Sequence, residues 1–185
     1  MSGGTWIFGY GSLIWKPGFD YAERRLATLP GFRRAFCMAS IRYRGTPEAP
    51  GLVLSLDHDA GGACRGVAFR IAPEAAEATV GYLRARELIS YAYNEETHPV
   101  TLDGGGVVEA ICYVSNPAHD QYRGGLSLEE QAAVIARSVG PMGPNAEYLH
   151  NTVASLAELG LDDPELEALD ALVRRLAAAP PGRQA

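Results

Sequence analysis

The first two-thirds of the chain is divided into short strand-like segments, and this division constrains the fold more than any other feature. Runs rich in β-branched and aromatic residues, bounded by turns that contain Gly or Pro, cover 5–8, 33–40, 51–56 and 63–71. Residues 97–102 and 107–114 flank Asp103-Gly104-Gly105-Gly106, a pattern typical of a hairpin. Because these runs do not alternate with helices, the sequence favours a closed or nearly closed sheet over a parallel one.

Helical patterns account for most of the remainder. Pro73 suits the first turn of a helix that extends to about Ile89. In the last third, Ser127-Leu128-Glu129-Glu130 has the spacing of a capping box, in a segment that closes at Gly140. Two further helices are predicted, one over 144–159 that ends at Gly160 and one that starts at Asp163-Pro164. The apolar stripe of the last helix comprises Leu166, Leu169, Leu172, Val173 and Leu176.

The length of 185 residues suits one domain whose core needs neither disulfides nor a metal. We predict a single α+β domain over 1–185, with a helical C-terminal third, a core at about 5–178 and a frayed tail at 179–185. The net charge of −6 supplies no basic face for phosphates, which argues against a nucleic-acid partner.

The sequence also lacks the patterns of membrane and secreted proteins. No apolar run approaches the roughly 18 residues of a membrane span, and the N-terminus carries no basic-then-apolar signal. Cys37, Cys64 and Cys112 show no C-x-x-C spacing and lie in strand-like runs. The 4 histidines show no metal-ligand spacing. We therefore expect buried free thiols in a reducing cytoplasm, with no membrane partner and no metal.

The strongest local motif is Gly9-Tyr10-Gly11-Ser12-Leu13, which follows the first strand-like run. It is not a dinucleotide fingerprint, because the third glycine would fall at Ile14, and it lacks the Gly-Lys-Ser/Thr ending of a P-loop. Nor does Ser12 have the G-x-S-x-G context of a nucleophile elbow. Two interpretations remain open. The motif is either a plain strand-ending turn, or a turn whose glycines let backbone N–H groups approach a carboxylate or an oxyanion.

Glu87 is the second candidate. On a helical wheel at ~100° per residue it falls in one narrow stripe with Ala76, Val80 and Leu83. A carboxyl group that faces a core or a dry cleft has its charged form disfavoured, which raises its pKa toward that of a useful base. The alternative is that Glu87 lies in a fraying last turn, or pairs with Arg86 or another arginine.

The remaining candidates carry weaker signals. Asp57-His58-Asp59 precedes Ala-Gly-Gly and is interpreted as a solvated turn. Arg42, Tyr43 and Arg44 lie before the Pro-rich loop, where they either hold an anionic ligand or supply ordinary loop charge. Tyr148 either packs in the core or reaches a pocket.

Taken together, these pieces resemble the ChaC-type γ-glutamylcyclotransferases, the glutathione-degrading branch of the γ-glutamylcyclotransferase-like superfamily. The most specific stretch is 6–16, which contains Gly9-Tyr10-Gly11-Ser12-Leu13. About 70 residues later, Tyr82-Leu83 is followed by Arg86-Glu87. Further matching stretches are 44–51, 66–70, 140–145 and 147–149, and the order and spacing hold from about Thr5 to Leu176.

The resemblance implies a small closed or nearly closed mixed β-barrel with flanking helices. It also implies that Gly9, Tyr10, Gly11, Ser12 and Leu13 hold a γ-glutamyl moiety, largely through backbone groups, and that Glu87 is the catalytic acid/base. Two departures concern the shape of the pocket and the neighbouring acid. Many relatives continue Arg-Glu with Gly-Gly-Tyr, where this chain has Leu88-Ile89-Ser90-Tyr91, and some carry an acid at the position of Ala78.

The implied activity is that of a lyase that cleaves glutathione into 5-oxoproline and cysteinylglycine without a metal or other cofactor. Glutathione is anionic and the chain is acidic, so a local arginine must offset the repulsion. Arg44 is our candidate, and Tyr148 is counted with it as substrate-binding. The alternatives are a cyclotransferase for another γ-glutamyl amine or dipeptide, and a non-catalytic binding or regulatory protein of the same fold. No oligomeric state is predicted.

Overall fold

The structure, a computed structural model, describes residues 4–88, 90 and 92–178. The chain divides into two compact units, each built from two separate segments. The first unit comprises Met1–Ala35 and Ser55–Tyr122, and the second comprises Phe36–Leu54 and Arg123–Ala185. The single domain over 1–185 stays a prediction, and the tail at 179–185 lies outside the described residues.

The described residues follow the predicted order of strands and helices, with departures. Residues 51–56 and 63–71 lie in one strand, a short helix follows the first strand, and the helix predicted to close at Gly140 ends at Arg137 and is followed by two strands of two residues each. The strands are β1 (Thr5–Gly9), β2 (Glu23–Ser40), β3 (Gly51–Ile71), β4 (Tyr93–Leu102), β5 (Val107–Ser115), β6 (Val139–Gly140) and β7 (Gly143–Pro144). The helices are α1 (Ser12–Trp15), α2 (Ala76–Glu87), α3 (Leu128–Arg137), α4 (Asn145–Glu158) and α5 (Pro164–Ala178), and a 3-10 turn at Pro73–Ala75 leads into α2.

Strands β1 to β5 form a closed barrel in the order β1-β3-β2-β4-β5. β1 runs antiparallel to β3, with Thr5 opposite Ile71, and parallel to β5, with Ile7 opposite Ile111. β4 and β5 pair antiparallel on either side of the Asp103-Gly104-Gly105-Gly106 turn, as the hairpin pattern predicts. Because parallel and antiparallel pairs both occur, the prediction of a closed mixed barrel with flanking helices is confirmed.

The interior of the first unit explains the sequence of β1. This strand is buried continuously from Trp6 to Gly9, so it is an unbroken apolar run rather than an alternating one. Phe69 on β3 is fully buried and packs against the rings of Phe19 and Tyr21, with centroids 5.6 and 5.1 Å away. Burial of such aromatic side chains supplies much of the hydrophobic stabilisation of a small barrel.

The second unit is held by polar as well as apolar contacts. Asn145, at the start of α4, is fully buried, and its side chain bonds the backbone of Leu52 in both directions, each at 2.7 Å. Ser127 and Glu130 form the predicted capping box at the start of α3. In α5 the predicted stripe is buried at Leu166, Leu169 and Val173. Leu176 is 48% exposed, so the prediction is wrong for the last turn of that helix, which extends beyond its buried part.

The prediction of a solvated turn at 57–59 is also wrong. β3 runs through this segment as one strand of 21 residues. Asp57 is only 3% exposed, and its carboxylate accepts hydrogen bonds from Ser115 Oγ at 2.8 Å and from the Tyr122 hydroxyl at 3.1 Å. Arg33 Nη2 lies 3.6 Å from the same carboxylate. A charged residue is stable inside this strand because tertiary partners, which the local sequence does not show, satisfy its oxygens.

Candidate active site

The segment 9–13 is a tight connection between β1 and the short helix α1. A Cβ atom on Gly9 would lie 3.1 Å from Phe69 Cε2 and 3.3 Å from Leu13 Cβ. A Cβ atom on Gly66 of β3 would lie 2.4 Å from the carbonyl oxygen of Gly9. Gly66 is therefore required by the close approach of two backbone segments at this corner of the barrel, and a side chain at Gly9 would force its neighbours to shift.

Helix α1 leaves backbone donors beside this turn. The Ile14 N–H bonds the carbonyl of Gly11 at 2.8 Å, and the Lys16 N–H bonds that of Ser12 at 2.7 Å. The N–H groups of Ser12 and Leu13 belong to the first turn, where a helix offers no acceptor of its own. The buried side chains of Leu13 and Ile14 fix the orientation of this turn. Fixed amide donors of this kind suit a carboxylate or an oxyanion.

A buried arginine that no sequence motif singles out supports the same turn. Arg34 on β2 is 3% exposed. Its Nε donates to the carbonyl of Tyr10, and its Nη2 donates to the carbonyl of Arg65 on β3. The acceptors are backbone carbonyls distant in sequence, so a residue pattern cannot reveal this contact. Arg34 thus ties the 9–13 segment to two strands of the first unit.

Glu87 is the last residue of α2, and its side chain is 19% exposed. Of the stripe that the helical wheel predicts, Leu83 is buried and Ala76, Val80 and Glu87 are half-buried. Thr79, which lies outside that stripe, is buried as well, while Glu77 and Arg84 are exposed. Burial raises the pKa of the Glu87 carboxyl above its ordinary value, and the nearby Arg86 guanidinium lowers it in part. A carboxyl group with a raised pKa is a stronger base than an ordinary carboxylate, and it can both accept and return a proton.

Arg86 joins the end of α2 to the segment that begins at Ser12. Its Nε lies 3.1 Å from Glu87 Oε1, and its Nη2 donates to Ser12 Oγ at 3.0 Å. Its Nη1 is 3.3 Å from the carbonyl oxygens of Lys16 and Pro17. Both features of the plain interpretation of Glu87, a place in the last turn and a contact with Arg86, are therefore present, and burial still dominates its pKa.

A second group of polar side chains lies where Arg84 of α2 contacts the β4–β5 hairpin of the same unit. Arg84 donates to Glu95 through Nε, at 2.9 Å from Oε2, and through Nη2, at 2.6 Å from Oε1. The hydroxyl of Tyr113 donates to Glu95 Oε2 at 3.1 Å. The hydrogen bond from Arg84 lowers the pKa of Glu95. Burial raises the pKa of the Tyr113 hydroxyl, and the charges of Glu95 and Glu87 raise it further.

Arg44 and Tyr148 belong to the second unit and contact each other there. The guanidinium carbon of Arg44 lies 5.4 Å from the centroid of the Tyr148 ring, in the geometry of a cation–π contact. Arg44 Nη1 also donates to the carbonyl of Pro144 at 3.1 Å, and Tyr148 packs edge-on against Phe36. Tyr148 is half-buried, so part of its ring packs on Phe36 while the ring also lies against Arg44.

The other reactive side chains include three cysteines. Cys37, Cys64 and Cys112 are buried thiols outside any disulfide, as predicted, and burial raises the pKa of Cys112 to about 12. Within the described ranges, no cluster of three or more His, Cys, Asp and Glu side chains is arranged to hold a metal ion. The helices in the described part of the chain lack the length and apolar character of a membrane span.

The ChaC-like protein family matches residues 5–176, nearly the whole chain. This chain belongs to the ChaC-like family. It is 38% identical over 176 residues to the glutathione-specific γ-glutamylcyclotransferase of Escherichia coli K12, which covers 95% of this chain and 75% of that relative. It is 32% identical to the enzyme of the same name from Schizosaccharomyces pombe, with 94% of each chain covered.

A solved structure extends the comparison to the fold of this ChaC-like chain. The crystal structure of a yeast γ-glutamyl cyclotransferase specific to glutathione superposes with a TM-score of 0.84 at 28% identity. The match covers 96% of this chain and 98% of the yeast protein. The barrel and its helices are therefore those of a γ-glutamylcyclotransferase-like fold.

The site residues predicted for this ChaC-like chain fall into two groups. The first unit contains the 9–13 segment and Glu87, which Arg86 links through Ser12. The second unit contains Arg44 and Tyr148. Sequence reasoning missed Arg34 and treated Arg86 only as a competing partner of Glu87. The Tyr82–Arg86 spacing of one helical turn was a signal for the role of Arg86, since Nη1 of Arg86 lies 3.3 Å from the Tyr82 hydroxyl.

Proposed function

We propose that this chain is a γ-glutamylcyclotransferase that cleaves glutathione into 5-oxoproline and cysteinylglycine. The observation that carries the proposal is the state of Glu87. Its carboxyl group is largely buried, its pKa is raised, and one guanidinium links it to Ser12 of the Gly9–Leu13 segment. The names of the E. coli and Schizosaccharomyces pombe relatives support glutathione as the substrate.

The reaction requires little beyond orientation and one proton carrier. The free α-amino nitrogen of the γ-glutamyl residue attacks the γ-carbonyl carbon of the same molecule, and a new C–N bond closes the lactam ring. The old C–N amide bond breaks, and the amino group of cysteinylglycine leaves. Because attack is intramolecular, holding the folded-back conformer supplies much of the rate enhancement. The two products contain all the atoms of glutathione, so the reaction consumes no water and no second substrate.

In this proposal Glu87 acts first as a base and then as an acid. It takes the proton that the attacking amine loses and returns it to the leaving nitrogen. Burial raises the pKa of Glu87, which makes its carboxylate a stronger base for the first step than an ordinary carboxylate. Residues Gly9, Tyr10, Gly11, Ser12 and Leu13 hold the γ-glutamyl moiety, with backbone N–H groups near α1 donating to the oxyanion.

We further propose that Arg44 and Tyr148 contribute to binding the anionic substrate. The Arg44 guanidinium rests on the Tyr148 ring and the Pro144 carbonyl, so its position is fixed before any ligand arrives. The proposal includes no nucleic-acid or membrane partner. A reducing cytoplasm suits the buried free thiols of Cys37, Cys64 and Cys112.

The direct test is to incubate the purified protein with reduced glutathione and quantify both products. We expect equal amounts of 5-oxoproline and cysteinylglycine from the wild type. Glu87→Gln should yield neither while it keeps its folded circular dichroism spectrum. Glu77→Gln is the matched control, because Glu77 is exposed on the same helix, and it should retain wild-type turnover. Product formation by Glu87→Gln would overturn the assignment of the acid/base.

Another γ-glutamyl substrate is the second candidate, and the residues after Glu87 favour testing it. This chain has Leu88-Ile89-Ser90-Tyr91 where many relatives have Gly-Gly-Tyr. A panel of γ-glutamyl amines and dipeptides, ranked by kcat/KM against glutathione, distinguishes the two. If no member of the panel releases 5-oxoproline although glutathione raises the Tm of the protein, a non-catalytic binding protein is the remaining interpretation.

A further inference from the structure

Arg86 makes more contacts around the proposed active site than any role as an ion-pair partner of Glu87 requires. We propose that Arg86 is the positioning residue of the site, which fixes the end of α2, and with it Glu87, against the Ser12–Trp15 helix and the loop that follows. This inference rests on the proposed function for its catalytic meaning. Its geometry stands on the contacts of the Arg86 guanidinium alone.

The guanidinium of Arg86 reaches several hydrogen-bond acceptors at once. Nη2 donates to Ser12 Oγ at 3.0 Å, and Nη1 donates to the carbonyl oxygens of Lys16 and Pro17, each at 3.3 Å. A planar guanidinium with several fixed N–H donors can bridge three backbone and side-chain groups, whereas a lysine ammonium is a single compact charge. Arg86 therefore ties a side chain of α1 and the first two residues after it to α2.

The loop that follows α1 also packs against α2 at Gly18. Gly18 has φ of 78°, and a Cβ atom there would lie 2.3 Å from the hydroxyl oxygen of Tyr82. This hydroxyl lies 3.3 Å from Nη1 of Arg86. The loop thus meets α2 at two positions one helical turn apart, and Arg86 takes part in both.

Arg86 also contacts the carboxyl group of Glu87 directly. Adjacent residues of a helix do not face each other within the helix body. At the end of α2, Arg86 Nε nonetheless lies 3.1 Å from Glu87 Oε1, so the carboxylate lies on the side that faces Arg86. The guanidinium lowers the pKa of Glu87 and limits the rise that burial causes. The charge of Glu87 also raises the pKa of the hydroxyl of Tyr113, which lies on β5. That hydroxyl donates to Glu95, and Glu95 accepts hydrogen bonds from Arg84.

The test compares two substitutions that separate the geometry of Arg86 from its charge. Arg86→Gln removes the charge and most of the donors. Arg86→Lys keeps the charge and loses the fork that bridges Ser12, Lys16 and Pro17. Arg70→Gln is the matched control, because Arg70 pairs with Glu23 at 2.8 Å in the same unit and lies outside the proposed site. For each variant we would measure kcat and kcat/KM for glutathione across pH, and the pKa of Glu87 by carbon NMR of the labelled carboxyl group.

We expect Arg86→Gln to lower kcat on the order of 10- to 100-fold and to move the acid limb of the kcat/KM profile to higher pH. The sign follows because loss of a neighbouring positive charge raises the pKa of Glu87 and leaves less of it as the base. Arg86→Lys should lower kcat by about tenfold with its acid limb unmoved. Arg70→Gln should stay within about twofold of the wild type.

Several outcomes decide the inference. The inference is overturned if both Arg86 variants keep kcat within about twofold of the wild type. It is also overturned if both variants lower kcat but the pKa of Glu87, measured in the Arg86→Gln variant, equals that of the wild type. If Arg86→Gln does not fold, the kcat of Arg86→Lys decides alone. If the wild type does not cleave glutathione, the proposed function fails. The NMR titration then still tests whether Arg86 controls Glu87, because it needs no turnover.

Discussion

The first unit holds two glutamates beside arginines, and their acidities change in opposite directions. Glu95 on β4 receives a two-pronged hydrogen bond from Arg84 and a further bond from Tyr113, and the bond from Arg84 lowers its pKa. Glu87 at the end of α2 lies 3.1 Å from Nε of Arg86, yet burial raises its pKa.

The difference shows that an adjacent arginine does not by itself keep a carboxyl group ionised. Arg84 directs its fork at Glu95, whereas Arg86 directs its Nη groups at Ser12 and the carbonyls that follow it. Glu87 receives the charge without the fork and remains largely shielded from water. The pKa values of the two carboxyl groups are pushed apart, and the raised value of Glu87 supports its proposed role in acid–base chemistry.

Removing each carboxylate in turn gives the largest contrast. We expect Glu87→Gln to lose at least about 100-fold in kcat for glutathione, because general acid–base catalysis contributes that much or more. Glu95→Gln should keep kcat within about tenfold, because its role is to bond Arg84 and Tyr113. Steady-state kinetics with 5-oxoproline as the product measured would check both. Equal losses in the two variants would break the comparison.

The same pair should differ in the sign of its effect on stability. The folded state raises the pKa of Glu87 above 4.5, so it binds more protons than the unfolded state in that window, and stability falls as pH rises through it. Glu87→Gln should therefore be more stable than the wild type at about pH 8, with the gain absent below about pH 4. Urea unfolding at the two pH values measures the free energy of unfolding.

For Glu95 the sign is reversed. Its pKa is lowered in the folded state, so its contribution is present above the unfolded value of 4.5 and is lost as pH falls through the folded one. Glu95→Gln should lower the free energy of unfolding by about 1 kcal/mol at neutral pH, with little of it due to the exposed Arg84. A gain in stability from Glu95→Gln at neutral pH would contradict this.

The smallest effect expected is that of Tyr113→Phe. The substitution removes one hydrogen bond to Glu95 from a side chain that is almost fully buried. We expect the free energy of unfolding to fall by about 0.5 kcal/mol and the Glu95 pKa to rise slightly, while the acid limb of the activity profile stays in place. A clear shift of that limb would place Tyr113 in the proton pathway of Glu87 and sharpen the comparison in a new direction.

Local pattern predicts most of the fold of this chain. The turn after β1, the β4–β5 hairpin and the capping box at Ser127 follow from residue types and spacing, since each is decided within a few residues. The continuity of β3 does not follow in this way. Asp57 looks like a turn residue, and partners distant in sequence, Ser115, Tyr122 and Arg33, stabilise its carboxylate inside a strand.

The candidate site divides along the same line. The position of Glu87 at the end of an apolar helical side is periodic information, which a sequence contains. The contacts of Arg34 with the Tyr10 carbonyl and of Arg86 with the Lys16 carbonyl use backbone acceptors, which have no residue identity to read. The family resemblance implies the catalytic role of Glu87, and the structure identifies the groups that surround its carboxyl group.

The segmented make-up of the two units has a consequence for synthesis of the chain. Residues 36–54 emerge early from the ribosome, but the partners of this segment in its own unit begin at residue 123. The hydrogen bond between Leu52 and Asn145 cannot form until Asn145 is synthesised, and the Cys37 carbonyl cannot accept from the N–H of Arg123 until Arg123 is synthesised. Until then the apolar side chains of Phe36, Leu52 and Leu54, buried in the finished protein, lack the cover that residues from 123 onward provide. A partly synthesised chain of this kind exposes apolar surface to chaperones and to aggregation.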